Sequence, residues 1–156
     1  MQPQIGIPET SRVASVKALS HCLADTYTLY LKTQMFHWNV TGMSFKALHE
    51  LFEEQYRDLA EAADEIAERI RTLGAWAPGS YVDFQRLTCI PAVDGKPDGR
   101  AMVTELIADH ERTTRRLRDA LPAAEDGRDE GTVDLLTARL RVHEKAAWML
   151  RAHVTG

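Results

Sequence analysis

Leu48, Phe52, Leu59, Ala63, Ile66, Ile70 and Leu73 recur at steps of three, four or seven residues. An apolar stripe sustained over that length specifies one long amphipathic helix, here taken from Ser44 to Leu73, with a single buried face. Such a helix needs equally long partners. At about 100° per residue, His49, Glu53, Asp64 and Glu68 fall on a second stripe beside the apolar one. All four can bind a transition metal. The fifteen residues from His49 to Asp64 rise roughly 22 Å along the axis, whereas a metal–ligand bond is about 2 Å. One ion therefore cannot touch both in a rigid helix. If the four serve one centre, half the ligands come from a second chain. A two-fold dimer with antiparallel helices supplies them and makes two equivalent sites.

The partners are legible on either side. Thr10 or Ser11 is placed to cap a first helix that runs to about Asn39, with Val16, Leu19, Leu23, Tyr30 and His37 on its stripe. Thr41-Gly42 breaks it and Ser44 can cap the second helix. The short break makes the two antiparallel neighbours and brings His37 close to His49. Gly74 ends the second helix. Residues 75–99, rich in Pro and Gly, form a long crossover with a short helix over Ser80–Leu87. A third helix is expected from about Arg100 to Leu121, carrying Val103, Leu106, His110, Thr113 and Leu117, with Pro122 stopping it. An acidic loop, AAEDGRDEG, leads to a fourth helix from Thr132 to His153. The fold class is all-α: a four-helix bundle with a long crossover between helices two and three. Residues 1–10 read as a short flexible tail and 11–156 as a single domain.

The 156 residues suffice for one sizeable core, and no apolar run approaches a membrane span. There is no basic start followed by an apolar stretch of the kind that directs secretion. Cys22 and Cys89 have no metal-ligand spacing and read as reduced thiols of a cytoplasmic protein. A net charge of −4 disfavours a chain built to coat nucleic acid and suits one that attracts cations. The arginines at 112, 115, 116 and 118 read as a solvated face paired with acids. His110 and His143 read as core or interface residues.

HWNVTG at 37–42, LHELFEE at 48–54, DEIAERIRTLG at 64–74 and EKAAWMLRAH at 144–153 together closely resemble the Dps family of mini-ferritins. The resemblance spans nearly the whole chain. It implies a ferritin-like bundle, a dodecameric homo-oligomeric cage and a ferroxidase centre shared between two subunits. The centre would use His37, His49, Asp64 and Glu68 as iron ligands, with Glu53 as a further carboxylate and Trp38 as a buried anchor at the subunit contact, an electron source, or both. Zinc or manganese would compete for such a donor set. Glu125, Glu130 and Asp134 are assigned to acidic entry pores, and Glu50 and Glu54 to nucleation of ferric mineral. The implied activity is oxidation of Fe(II), preferably by hydrogen peroxide, with storage of Fe(III) and protection of DNA. The bundles that build an iron centre within one subunit use Glu-x-x-His, and this sequence contains none. The rival reading is a nucleoid-associated protein that condenses DNA with metal binding secondary. A tail would not mediate that contact, because residues 1–11 hold no Lys or Arg.

Overall fold

Five helices account for the chain in this computed structural model, which describes residues 2–155. Met1 of the expected tail and Gly156 of the expected domain lie outside the described residues. The helices are α1 (Glu9–Asn39), α2 (Phe45–Thr72), α3 (Tyr81–Leu87), α4 (Gly99–Asp126) and α5 (Glu130–Arg151). No strand occurs among the described residues. α1 packs along α2 and along α4, and α5 along α4, while α2 and α5 touch only slightly. α3 leans on α1 within the crossover. All seven apolar residues of the expected α2 stripe are buried.

Four expected boundaries move. α1 starts one turn early. Pro8, with φ −56°, stands at the cap position and its carbonyl accepts from the Arg12 N–H at 3.0 Å, so Thr10 and Ser11 lie inside the helix. Proline is pre-set for a helix start, and Glu9 in the first turn suits the positive end of the helix dipole. Ahead of the helix, the Pro3 carbonyl accepts a 2.7 Å bond from Arg12, and Ile7 packs on the core. Ser44 does precede α2, but its hydroxyl makes no capping bond.

Pro122 does not stop the third long helix, which continues to Asp126. A proline inside a helix costs about 3 kcal/mol or more through its lost N–H and its ring. Burial offsets that here. Ala124 beyond it is fully buried, and its carbonyl accepts from the Asp129 N–H at 2.9 Å. Little of the expected acidic loop remains, since only residues 127–129 join α4 to α5. Asp129 caps α5 by accepting from the Thr132 N–H at 3.1 Å, so that helix begins at Glu130 rather than Thr132. It ends at Arg151 rather than His153.

The core lies in two clusters. One gathers Leu19, Leu23, Ile66, Ile70, Leu117 and Leu136; the other gathers Leu29, Phe36, Phe52, Leu59, Leu106 and Leu150. Each such side chain contributes about 1.5–3 kcal/mol on burial. Together they hold α1 and α2 rigidly side by side, which sets the distance between the two histidine-bearing ends.

Candidate metal centre

Val40 is extended at the end of α1, and Gly42 takes φ +101°, a left-handed conformation that favours glycine. The chain reverses there, so the last turn of α1 meets the start of α2. Across this corner the two histidines bond reciprocally. His37 Nδ1 lies 2.8 Å from the His49 carbonyl, and His49 Nδ1 lies 2.8 Å from the His37 carbonyl. Their rings stack with centroids 3.7 Å apart and planes 18° apart. A carbonyl only accepts, so each Nδ1 carries a proton, and in the neutral ring the Nε2 is the atom left with its lone pair. This is the arrangement that orients a histidine as a metal ligand. His37 is buried and His49 half-buried.

Glu53 follows one turn after His49. Its Oε1 accepts from Arg57 Nε at 2.9 Å and Nη2 at 2.5 Å. The Arg57 hydrogen bond, with lesser help from the charge of Arg57 and of both histidines, holds the Glu53 carboxyl below its ordinary range. Glu53 is thus an anion beside the two imidazoles, already engaged by a guanidinium.

Asp64 and Glu68 stand exposed near the other end of the same unbroken helix. Asp64 lines a groove of about 530 Å³ with Tyr27, Ala63, Tyr81 and Phe84. The structure brings His37 to His49 and leaves the acid pair far away. Among the described residues no three of His, Cys, Asp and Glu gather closely enough to hold a metal ion in one chain. Trp38, next to the first histidine, is 62% exposed. Glu50 and Glu54 are exposed on α2, Glu50 lying 3.7 Å from Lys46. Glu125, Glu130 and Asp134 are exposed on the last turn of α4 and the first turns of α5.

Several participants escaped the sequence reading. Tyr56 sets its edge against His37 with centroids 5.2 Å apart. It lies seven residues after His49, on the same helix face, which was the available signal. Arg57 lies four residues after Glu53, the ordinary spacing of a helical ion pair. No local pattern announced the contact of Arg69 with Asp129 and Thr132, which ties α2 to the turn between α4 and α5. The arginines of α4 largely meet acids as expected. Arg112 bonds Asp109, Arg116 bonds the fully buried Asp25, and Arg118 bonds Glu144. His110 and His143 are core residues, their Nδ1 atoms 2.9 Å apart.

The ferritin-like domain family matches residues 16–156. A low temperature-induced protein of Nostoc is 42% identical over 154 residues, covering 97% of this chain and 86% of that one. DNA protection during starvation protein 2 of Bacillus anthracis is 35% identical, covering 88% of this chain and 94% of its own. A solved Vibrio cholerae Dps protein is described as a member of a broad superfamily of ferritin-like diiron-carboxylate proteins. It is 34% identical, with a TM-score of 0.93 over 99% of this chain and 97% of that one. No helix here is long and apolar enough to cross a membrane.

Proposed function

The chain belongs to the Dps family of ferritin-like proteins, and on that premise we propose that it is a ferroxidase that stores iron. Fe(II) is the substrate. It binds between His37 and His49 of one subunit and Asp64 and Glu68 of a two-fold partner. One observation carries this reading: the reciprocal histidine bonds turn two Nε2 atoms outward at one end of α2, while the acid pair sits at the other end with no further ligand among the described residues to complete a site.

Imidazole nitrogens and carboxylate oxygens together suit iron, and the same set admits zinc or manganese as competitors. The histidines are neutral ligands whose orientation is set before metal arrives, so little ordering remains to be done on binding. The carboxylates add negative charge and so favour the ferric product over the ferrous substrate. Hydrogen peroxide takes two electrons and two protons to give two waters. Two Fe(II) supply those electrons without releasing a hydroxyl radical. Fe(III) then moves to the exposed Glu50 and Glu54, where clustered carboxylates start mineral. Glu125, Glu130 and Asp134 draw Fe(II) inward through pores of a homo-oligomeric cage.

The test is anaerobic. Apo protein receives a few Fe(II) per subunit, then half an equivalent of peroxide per iron, and ferric absorbance is followed. The expected result is fast oxidation at two Fe(II) per peroxide, reduced to the rate in buffer by the double replacement Asp64→Ala and Glu68→Ala. An unchanged rate in that double variant rejects the site.

A further inference from the structure

The line of tyrosines between the two ends of α2 has no part in that reading. Tyr56 rests on His37 at 5.2 Å between ring centroids. Tyr56 and Tyr30 are 6.2 Å apart, and Tyr30 and Tyr27 are 5.5 Å apart with planes at 77°. Tyr27 then lines the groove that holds Asp64. The rings run in contact from the histidine pair to Tyr27, which shares its groove with Asp64. Aromatic packing explains each spacing taken singly. It does not explain why an oxidisable ring stands at every step between the two halves of a metal centre.

A chemical need fits this line. Glu53, the carboxylate available for a second iron beside the histidines, is held by Arg57 through two hydrogen bonds. Both bonds fall on Oε1 and leave Oε2 free, so a second iron competes only with a weak exposed pair, but with one Fe(II) supplied per centre each centre holds a single iron. One Fe(II) has one electron to give, and peroxide needs two. The other electron resides on the Fe(II) of the symmetry-related centre. In the two-fold dimer each subunit's histidines serve one centre and its Asp64 and Glu68 the other. The roughly 22 Å along α2 is therefore also the distance between centres. Electron transfer falls off steeply with distance, so several short steps outrun a single long one.

We infer that Tyr56, Tyr30 and Tyr27 form a redox relay that couples the two centres of a dimer, so that two Fe(II) bound one to each centre reduce a single hydrogen peroxide. This rests on the shared centre proposed above. In the first step Fe(II), hydrogen peroxide, one proton and the Tyr56 phenol give Fe(III), two waters and a Tyr56 phenoxyl radical. Iron and tyrosine each lose one electron, the O–O bond breaks, and the phenolic proton ends in water. The oxidising equivalent then passes through Tyr30 to Tyr27. There the phenoxyl radical takes one electron from the second Fe(II) and one proton from water, restoring the phenol and giving the second Fe(III).

The test uses the assembled protein loaded anaerobically with one Fe(II) per centre and mixed with limiting peroxide. Rapid-freeze electron paramagnetic resonance, the iron-to-peroxide ratio and a hydroxyl-radical spin trap are the readouts. The expected wild-type result is a transient tyrosyl doublet, two Fe(II) consumed per peroxide and no spin adduct. Tyr56→Phe and Tyr30→Phe keep the rings and their packing. Tyr56→Phe should lose the doublet. Tyr56→Phe should also fall toward one Fe(II) per peroxide and produce the hydroxyl adduct, whereas Tyr30→Phe should fall toward the same ratio with a longer-lived doublet and no adduct. A ratio of two with an unchanged radical in both variants overturns the relay while leaving the centre intact. So does a radical that survives Tyr56→Phe but vanishes in Trp38→Phe. Oxidation that is no faster than in buffer, or that ignores Asp64→Ala with Glu68→Ala, rejects the shared centre and the relay together.

Discussion

His37 and His49 each bond the other's backbone carbonyl through Nδ1, both at 2.8 Å. Each side chain thus fixes the tautomer of its own ring and braces the corner that carries its neighbour. Replacing either histidine removes a proposed ligand and also frees a carbonyl that braced the corner. His49→Ala is expected to weaken anaerobic Co(II) or Fe(II) binding by at least the roughly 10–100-fold typical of a disturbed ligand support. Titration calorimetry reads this directly, and unchanged affinity would remove the histidine pair from the site.

Mixing two inactive variants distinguishes a shared centre from an intrasubunit one. Chains with His37→Ala and His49→Ala are co-refolded with chains carrying Asp64→Ala and Glu68→Ala. In a mixed dimer one centre loses all four ligands and the other keeps all four. Ferroxidase activity should reappear in the mixture although each parent is inactive. A mixture as inactive as its parents would mean that the histidines and acids do not meet across subunits.

The buried His110–His143 pair gives stability a defined pH dependence. Desolvation, aided by the charge of Arg139, pulls His110 down to about 4. Burial, then the charges of His110 and Arg139, hold His143 well below its ordinary value. Below the unfolded value of 6.5 the unfolded chain binds protons that the folded chain refuses. The stabilisation is therefore complete above pH 6.5 and is lost as pH falls toward 4. A shift of this size corresponds to on the order of 3 kcal/mol for His110. Urea midpoints at constant protein concentration should fall across that window, and His110→Leu with His143→Leu should flatten the slope.

Gly74 closes α2 with φ +94°, and a Cβ there would stand 2.7 Å from Pro3 Cδ. Gly74→Ala combines a strained backbone with a clash against the N-terminal segment. The expected cost is about 1–2 kcal/mol, measured as a lower denaturant midpoint. Replacing Pro3 with Gly as well, which removes the clashing ring and keeps the carbonyl that Arg12 bonds, should return most of the steric part of that loss and leave the backbone part.

Periodicity and spacing carried the fold a long way. The stripe from Leu48 to Leu73 placed α2, Gly42 and Gly74 marked its ends, and the short helix expected over Ser80–Leu87 is present as Tyr81–Leu87 with Ser80 as its cap. The fifteen-residue gap between His49 and Asp64 already excluded a one-chain centre, since helix rise is a local property. The tertiary structure decided what local rules leave open. Pro122 breaks a helix by its own chemistry, yet α4 runs through it because Ala124 is buried beyond it. The bonds that set the histidine tautomers depend on how α1 and α2 meet. The tyrosines come from two helices and form one line only when those helices pack. A residue's neighbours within one helix follow from 3.6 residues per turn, whereas its neighbours on another helix follow from the packing of the whole core.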